Sequence, residues 1–255
     1  MEVHAHTHTA RKKWTHYFWE FLMLFLAVFC GFLAENIREH KIEQHRAKEF
    51  AKSLVQDLQN DTSAINTQIK RSGIYIALTD SLLKLSKAKL ENRNAAEFSF
   101  YTRFMYWTAP LLWNRATFEQ VKNSGSLRYF RNFQLLEKLM KYEAAVNSVE
   151  AESINHMTRG NMLLKLINET IDPQLHHDLS KYQLLSLDTM SVKTKENYFD
   201  VKIVSLENKR VEIRELLNMT IVQQRNLQFN DVRLQQAKEL VIKLINDLKE
   251  EYHLK

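Results

Sequence analysis

Hydrophobic residues follow two patterns along this chain. Close to the N-terminus they form an almost continuous stretch, and between Trp14 and Asn36 the only acidic or basic side chains besides a histidine are Glu20 and Glu35. A helix rises about 1.5 Å per residue, so this stretch is long enough to cross a hydrocarbon core of about 30 Å. The pattern predicts a single transmembrane helix over residues 14–36.

Beyond this stretch, hydrophobic residues recur at the spacing of an amphipathic helix. One stripe consists of Ala47, Phe50, Ala51, Leu54, Val55 and Leu58. The 255-residue chain contains only 4 glycines and 2 prolines, which leaves few turns for short strands. The expected fold class is therefore all-α, with the N-terminal transmembrane helix continuing into an elongated antiparallel helical bundle.

These features divide the chain into three regions. They are a short basic, histidine-containing tail (1–13), the transmembrane helix (14–36) and a helical-bundle domain (37–255). Ser72-Gly73 is the first expected interruption after the membrane helix. It would separate a helical stalk, 37–72, from the bundle proper, 73–255.

Capping and turn-forming residues predict the later helix ends. A helix is expected to resume at Leu111, after a proline, and to end at Gly125 in the left-handed conformation. Asn132 is expected to cap a long helix that reaches about Thr170. The helical pattern returns from about Lys193 to the C-terminus.

A cleavable signal peptide is the main alternative to an anchor, because three basic residues precede the apolar stretch. Cleavage after Ala34 would put the bulky Phe32 where a small residue is required, so we predict an uncleaved anchor. A short basic tail resists translocation, whereas a long domain crosses largely regardless of its charge. The tail is therefore expected in the cytoplasm and the domain outside it, although basic residues also follow the helix.

Composition narrows the classes of function. Cys30 is the only cysteine, so the soluble part contains no disulfide. The net charge of +6 comes from basic residues that alternate with acidic ones, which argues against nucleic acid as a partner and suits an anionic membrane surface. The sequence lacks a glycine-rich phosphate loop, His-Glu-x-x-His, Gly-x-Ser-x-Gly and a cysteine pair. We expect no enzymatic activity and no cofactor.

One face of the predicted membrane helix combines a carboxyl group with small residues. At 100° per residue, Glu20, Ala27, Gly31 and Ala34 lie within about 60° of one another. Small residues allow helices to approach closely in lipid. This face is a candidate packing surface for a homo-oligomer or another membrane protein, with Glu20 at the helix contact or along a polar path. Alternatively, Glu20 reaches the headgroups near Lys13 and the small residues have no such role.

Aromatic residues are concentrated between positions 98 and 133. They are Phe98, Phe100, Tyr101, Phe104, Tyr106, Trp107, Trp113, Phe118, Tyr129, Phe130 and Phe133. Such a concentration is typical of the thickest part of a bundle core. The alternative is a partner surface, since aromatics with a polar group are frequent in such contacts, and Trp107, Trp113 and Tyr129 are its candidates.

Three further segments carry weaker signals. His4, His6 and His8 could bind a transition metal, but a flexible tail does not fix their geometry, and no physiological metal is expected. Ser124-Gly125 predicts a tight helix reversal, a plain connector unless the following amides meet an anion. The polar run 223–231 predicts a solvated or kinked helix, or else a polar layer that fixes register in a helix assembly.

Two segments also resemble a known family. The residues are His-Thr-His-Thr-Ala-Arg-Lys-Lys-Trp-Thr-His-Tyr-Phe-Trp-Glu-Phe (6–21) with Ala34-Glu35-Asn36, and Thr-Phe-Glu-Gln-Val-Lys-Asn-Ser-Gly-Ser-Leu-Arg-Tyr-Phe-Arg-Asn (117–132). They resemble a family of functionally uncharacterised single-span proteins of Bacteroidota. The resemblance covers the anchor, the stalk and the central helix-Gly-helix, but not residues 171–255. It implies an inner-membrane anchor with a periplasmic domain and implies no chemistry.

The expected function is that of a membrane-anchored interaction or sensory module that acts through protein–protein contacts. The alternative is a structural subunit of a larger membrane assembly. The expected partners are the lipid bilayer and either a second copy of the chain or another membrane protein.

Overall fold

The computed structural model describes residues 13–106, 110–130, 132–203 and 205–254. The helices are α1 (Trp14–Ser86), α2 (Asn92–Thr102), α3 (Ala116–Asn123), α4 (Phe133–Thr170), α5 (Pro173–Leu179), α6 (Ser186–Thr189), α7 (Val192–Phe199) and α8 (Arg210–Glu251), with short 3-10 turns at Ser126–Tyr129 and Glu207–Lys209. Among these residues, the only strand-like pairing is one isolated bridge between Glu91 and Ser205. The prediction of an all-α fold is confirmed.

Packing divides the chain between Phe50 and Ala51 into two compact units. The first contains the N-terminal part of α1, and large apolar side chains from Trp14 to Ile42 are exposed there. Within the described residues, α1 is the one helix long and apolar enough to cross a membrane, and its apolar window is not buried by any other part of the chain. This apolar surface is therefore available to lipid or to another helix.

The second unit is built on residues 51–86 of α1 together with α4 and α8. Buried positions on each helix are separated mainly by three and four residues in alternation, the heptad spacing of coiled-coil packing. They include Ala51, Leu54, Leu58, Asp61, Ile65, Ser72, Tyr75, Thr79 and Leu82 on α1. They include Leu135, Leu139, Tyr142, Val146, Val149, His156, Gly160, Leu163, Ile167 and Thr170 on α4. They include Thr220, Gln223, Leu227, Asn230, Leu234, Ala237, Val241, Leu244 and Leu248 on α8.

Contacts between side chains define the helix directions in this unit. Lys138 Nζ lies 2.5 Å from Asp247 Oδ2, and Lys209 Nζ lies 2.6 Å from the carbonyl oxygen of Glu169, so α4 and α8 are antiparallel. Asp61 on α1 contacts Tyr142 near the start of α4. Further along both helices, Tyr75 of α1 lines one cavity with His156 of α4, so these two helices are parallel. The unit is therefore a three-helix bundle in which α8 runs against the other two helices.

The aromatic residues of α2 form a second layer of the core at one end of this bundle. Phe100 packs edge-on against Phe199 of α7 with ring centroids 5.3 Å apart, and it also contacts Phe104. Arg93 holds α2 to α7 through Glu196 at 2.5 Å and Asp200 at 3.1 Å. Of the predicted aromatic cluster, Phe98, Phe100, Phe104 and Phe130 are buried, whereas Phe133 is 84% exposed.

The predicted interruption at Ser72-Gly73 is wrong, because α1 continues to Ser86. Gly73 is exposed and a Cβ atom there would meet nothing within 4 Å, so it does not mark a bend. A glycine inside a helix costs about 1 kcal/mol relative to alanine. The buried heptad residues on either side outweigh that cost, and residues 51–72 of the expected stalk belong to the packed unit.

The predicted helix start at Leu111 is also wrong, since α3 begins at Ala116. The Asp61 carboxylate accepts hydrogen bonds from the Asn114 backbone N–H at 2.8 Å and side-chain amide at 3.0 Å. Asp57 accepts a further one from the Thr117 N–H at 3.3 Å. These bonds from α1 satisfy backbone donors ahead of α3 and keep the preceding residues out of the helix.

Other predicted ends are confirmed. Gly125 adopts φ +68°, a left-handed conformation that other residues rarely adopt. The Asn132 side chain accepts hydrogen bonds from the Gln134 and Leu135 N–H groups and so caps α4, which ends at Thr170 as expected. The helical region predicted from about Lys193 to the C-terminus consists of α7, a 3-10 turn and α8.

Candidate functional site

The middle of the three-helix bundle is polar. Several consecutive heptad positions that would ordinarily carry leucine or isoleucine hold other residues. The fully buried ones are Ser72 and Thr79 on α1, His156 on α4, and Thr220, Gln223 and Asn230 on α8. We call these residues and Tyr75 the polar layer. Buried polar groups in such positions cost stability and fix the register of the helices.

A cavity of about 30 Å³ lies within the polar layer and is partly open to solvent. Its polar lining includes Arg71, Ser72, Tyr75, His156 and Asn230. Its apolar lining consists of Pro110, Leu111, Val149, Met157, Leu184 and Leu227. One water molecule requires about 10–15 Å³ of such volume, so the cavity accommodates about two water-sized groups.

Arg159 determines which nitrogen of His156 carries the proton. Its Nη2 atom lies 3.3 Å from His156 Nδ1. A guanidinium group has donors only, so Nδ1 must accept and the proton of the neutral ring is on Nε2. Burial, and then the charge of Arg159, lower the pKa of His156, which keeps the ring neutral at neutral pH.

The Nε2–H group of His156 is left without a hydrogen bond of standard geometry among the described residues. Glu152 Oε1 lies 3.9 Å away, too far to accept one. Burying a donor without an acceptor costs about 1–3 kcal/mol. The Gln223 side chain also interacts with the ring and partly offsets the lowering of its pKa. The His156 ring, which lines the cavity, therefore has a donor that no described group accepts with standard geometry.

Arg159 itself connects α4 to α8. Its Nε atom donates to Gln223 Oε1 at 2.7 Å, and its Nη2 atom donates to Glu152 Oε1 at 2.7 Å. Partial burial opposes ionisation of Glu152, but the hydrogen bonds from Arg159 and Asn155 prevail and lower its pKa. The Arg159 charge is thus paired, and it does not remain available to the cavity.

Further polar atoms around the cavity lack a partner. Within the described parts of the chain, the Arg71 Nε, Ser72 Oγ, Tyr75 hydroxyl and Asn230 Oδ1 atoms make no hydrogen bond of standard geometry. Burial raises the pKa of Tyr75, so its hydroxyl stays protonated and can donate. Together with His156, the cavity has more unsatisfied donors than acceptors.

Asp231 lies beside the polar layer on α8. Burial raises the pKa of this carboxyl group to about 6, and the Ser72 hydroxyl, which faces it, lowers the pKa only in part. Asp231 Oδ1 makes no standard hydrogen bond within the described residues. Asp231 thus changes its charge near neutral pH, next to the cavity.

A second buried carboxylate, Asp61, differs from Asp231 because its oxygens accept several hydrogen bonds. Its oxygens accept hydrogen bonds from the Tyr142 hydroxyl at 2.6 Å and from two donors of Asn114. Trp113 packs edge-on against Tyr142 with ring centroids 6.2 Å apart. The Asp61 oxygens are thus well supplied with donors and anchor the segment before α3, whereas the buried Trp113 Nε1–H group makes no hydrogen bond of standard geometry within the described residues.

The predicted membrane packing face lies on α1, where all its members, Glu20, Ala27, Gly31 and Ala34, are exposed. The Glu20 carboxylate lies 2.9 Å from His16 Nε2, one turn closer to the N-terminus. Glu20 therefore has a polar partner on its own helix. A Cβ atom at Gly31 would meet no other atom within 4 Å, so close approach of a second helix is open there.

The remaining predicted residues have varied surroundings. Trp113 is partly buried against a core cluster, and Tyr129 is partly buried with Arg128 stacked on its ring at 5.2 Å. Ser124 donates to Ser126 Oγ at 2.7 Å across the Gly125 corner.

Other predicted residues lie outside the described part of the chain. They are Trp107 and the histidines His4, His6 and His8. The described residues contain no cluster of three or more histidine, cysteine or acidic side chains that could hold a metal.

No protein-family model, curated protein or solved structure matches this chain. The resemblance to a Bacteroidota family therefore stays a prediction. The functional argument depends on the geometry of the chain itself.

Sequence reasoning missed most of the polar layer. It noticed the polar run 223–231, which contains Gln223 and Asn230, but not Ser72, Tyr75 or His156. The available signal was the heptad spacing itself. Continuing the alternation of three and four from Leu54 through Ile65 arrives at Ser72 and Tyr75.

Proposed function

We propose that this chain is a membrane-anchored helical module that acts as an interaction or sensory element through protein–protein contacts, without chemistry of its own. The observation that carries the proposal is the continuity of α1. One helix supplies the apolar segment and also contributes Ser72 and Tyr75 to the polar layer. A change in packing at this layer requires α1 to shift or rotate, and small helix shifts are a common form of conformational signal.

The polar layer supports a sensory role because its packing is under-satisfied. Unpaired donors and acceptors in a helix interface make the observed arrangement less favourable relative to alternatives. A ligand or partner that binds one arrangement better moves the population toward it. The layer is thus the part of the bundle where a modest binding energy has most effect.

The proposed location is the inner (cytoplasmic) membrane, crossed once, with the N-terminus in the cytoplasm and the bundle in the periplasm. The exposed apolar surface of α1 supports the membrane location, and the basic tail supports the orientation. Lys87→Cys, in a Cys30→Ser background, tests it because Lys87 is exposed. We expect a membrane-impermeant maleimide to label intact spheroplasts. Labelling only after the inner membrane is broken would contradict the orientation.

Insertions that change the helical phase of α1 test the proposed function. Inserting two alanines after Glu39 changes the phase by about 200°, whereas inserting seven residues changes it by only about 20°. We expect capture of partners in mild detergent to survive the seven-residue insertion and to be lost with the two-residue insertion. Purification of the wild type as a lone monomer would contradict the proposal.

A structural subunit of a larger membrane assembly is the second candidate. It is favoured by the exposed face formed by Glu20, Ala27, Gly31 and Ala34, which nothing else in the described chain covers. In that case, purification should recover partners at fixed stoichiometry, and changes in the polar layer should leave their recovery unaltered. The effect of the polar layer on partner capture therefore separates the two candidates.

A further inference from the structure

We infer that the cavity of the polar layer binds a short aliphatic carboxylate, held between Arg71, Tyr75 and His156 with its alkyl part against the apolar wall. The inference rests on the proposed function, since it names the signal that a sensory module of this kind would receive. Its basis is the imbalance of hydrogen-bonding groups around the cavity, the charge there, and the cavity's size and lining.

The first step is the count of unsatisfied groups. Arg71 Nε–H, Tyr75 O–H and His156 Nε2–H can donate, whereas Asn230 Oδ1 can accept. The Ser72 hydroxyl is not counted, because it faces Asp231. The four counted residues line the cavity, and all except Arg71 are more than nine-tenths buried. A ligand that satisfies this set must be rich in acceptors, because water brings as many donors as acceptors. Carboxylate oxygens are acceptors only.

The second step is the charge. Arg71 forms no ion pair within 4.0 Å among the described residues, and its Nη1 atom has only a long contact of 3.5 Å to Gln68. The other nearby cation, Arg159, is paired with Glu152.

Two acids lie beside the layer. Asp80 is exposed and accepts a hydrogen bond from Gln224 at 3.2 Å, and burial holds Asp231 largely in the neutral form below about pH 6. Below that pH the positive charge of Arg71 is not balanced at the cavity, which matches a ligand with a single negative charge.

The third step is size and lining. The volume of about 30 Å³ corresponds to about two water-sized groups, which matches the two oxygens of a carboxylate. The apolar part of the wall disfavours the further charged oxygens of phosphate or sulfate. Part of the cavity wall is apolar. It includes Leu111, Met157, Leu184 and Leu227. A short alkyl chain suits this wall, whereas a second charged group does not.

Such a ligand would act on helix packing directly. Arg71 and Tyr75 belong to α1, and His156 belongs to α4. An anion bound between them accepts hydrogen bonds from α1 and α4 at once. Asn230 of α8 lines the same cavity. Binding would stabilise one arrangement of the bundle and so bias the position of α1.

The test uses the full-length chain in mild detergent at about pH 5.5, where Asp231 is largely neutral and butyrate is still mostly ionised. The chain is titrated with sodium butyrate from micromolar to tens of millimolar at constant ionic strength. Calorimetry is expected to give saturable binding at one site, and thermal unfolding followed by circular dichroism is expected to shift upward. Sodium acetate is expected to bind more weakly because it buries less apolar surface. Methyl butyrate, sodium phosphate and sodium chloride should give neither effect.

Variants assign the binding to the cavity. Arg71→Met is expected to weaken butyrate binding by about tenfold to a hundredfold, as for the loss of a charge-assisted hydrogen bond. Tyr75→Phe is expected to weaken it by about threefold to tenfold. The matched controls are Arg93→Met and Tyr142→Phe, which make the same chemical changes outside the cavity. Both controls should bind butyrate as the wild type does.

Two outcomes would overturn the inference. One is the absence of saturable butyrate binding by a wild-type chain that unfolds cooperatively. The other is equal binding by Arg71→Met and the wild type. Neither outcome affects partner capture by the phase variants of α1, which is measured without ligand, so failure of this inference is distinguishable from failure of the proposed function.

Discussion

The Tyr142 hydroxyl donates a 2.6 Å hydrogen bond to the buried carboxylate of Asp61. This bond ties α4 to α1 at the same carboxylate that holds Asn114 in place. Tyr75 is also fully buried at the interface of these helices, but its hydroxyl has no hydrogen bond of standard geometry among the described residues. Two buried tyrosines of one bundle thus differ in one respect, the presence of an acceptor.

Removing the two hydroxyls should therefore have different effects. Tyr142→Phe leaves a carboxylate oxygen of Asp61 unsatisfied and is expected to lower the free energy of unfolding by about 2–3 kcal/mol. Tyr75→Phe removes an unpaired group and is expected to leave the stability unchanged or to raise it slightly. Chemical denaturation in buffer without carboxylates measures both. Equal losses in the two variants would show that Tyr75 has an acceptor of comparable strength.

Two glycines provide a second matched pair. Gly125 adopts φ +68°, so Gly125→Ala is expected to destabilise the protein by about 1–2 kcal/mol. Gly73 lies inside α1 with open space around its Cβ position, so Gly73→Ala is expected to stabilise it by up to about 1 kcal/mol. Thermal unfolding of both variants gives the sign of each change. A loss of stability in Gly73→Ala would contradict the continuity of α1 at this position.

The fold was largely predictable because its signals are local. The spacing of Leu54 and Leu58, the cap at Asn132 and the left-handed Gly125 each depend on residues close in sequence. The wrong helix start at Leu111 had a non-local cause. Asp61 reaches across to Asn114, 53 positions away, and no local pattern reveals that acceptor.

The candidate site was less predictable, since it depends on the register between helices. Ser72, His156 and Asn230 are far apart in sequence and meet only because α8 runs antiparallel to α1 and α4. Each residue alone looks like an ordinary polar residue of an amphipathic helix. Only the heptad assignment places all three on buried positions, and even that does not say which residues face one cavity.

The raised pKa of Asp231 predicts a pH dependence of stability. The pKa is about 6 in the folded chain, compared with an ordinary value of 3.8. Between these values the folded state binds more protons than the unfolded state, so this residue's contribution to stability falls as pH rises through this range. The loss is expected to be on the order of 1 kcal/mol, since residual exposure screens the charge.

Asp231→Asn isolates this contribution from that of other titrating groups. We expect the difference in the free energy of unfolding between variant and wild type to grow in favour of the variant from pH 4 to pH 7. His156 has a lowered pKa and contributes with the opposite sign in acid, but it is present in both proteins and cancels in the difference. A difference that stays constant with pH would mean that Asp231 titrates normally.

The exposed face of α1 leads to a prediction about association in the membrane. Gly31 has open space at its Cβ position, and Glu20 lies on the same helical face with His16 as its intrahelical partner. If this face contacts a second copy of the chain, Gly31→Leu blocks close approach, and oxidative crosslinking through the native Cys30 should fall severalfold. Phe29→Leu, on the opposite side of the helix, is the control and should leave the crosslinking unchanged. Because His16 already satisfies the Glu20 carboxylate, Glu20→Leu should reduce crosslinking less than Gly31→Leu does. Equal crosslinking in all four proteins would mean that the small-residue face contacts lipid alone.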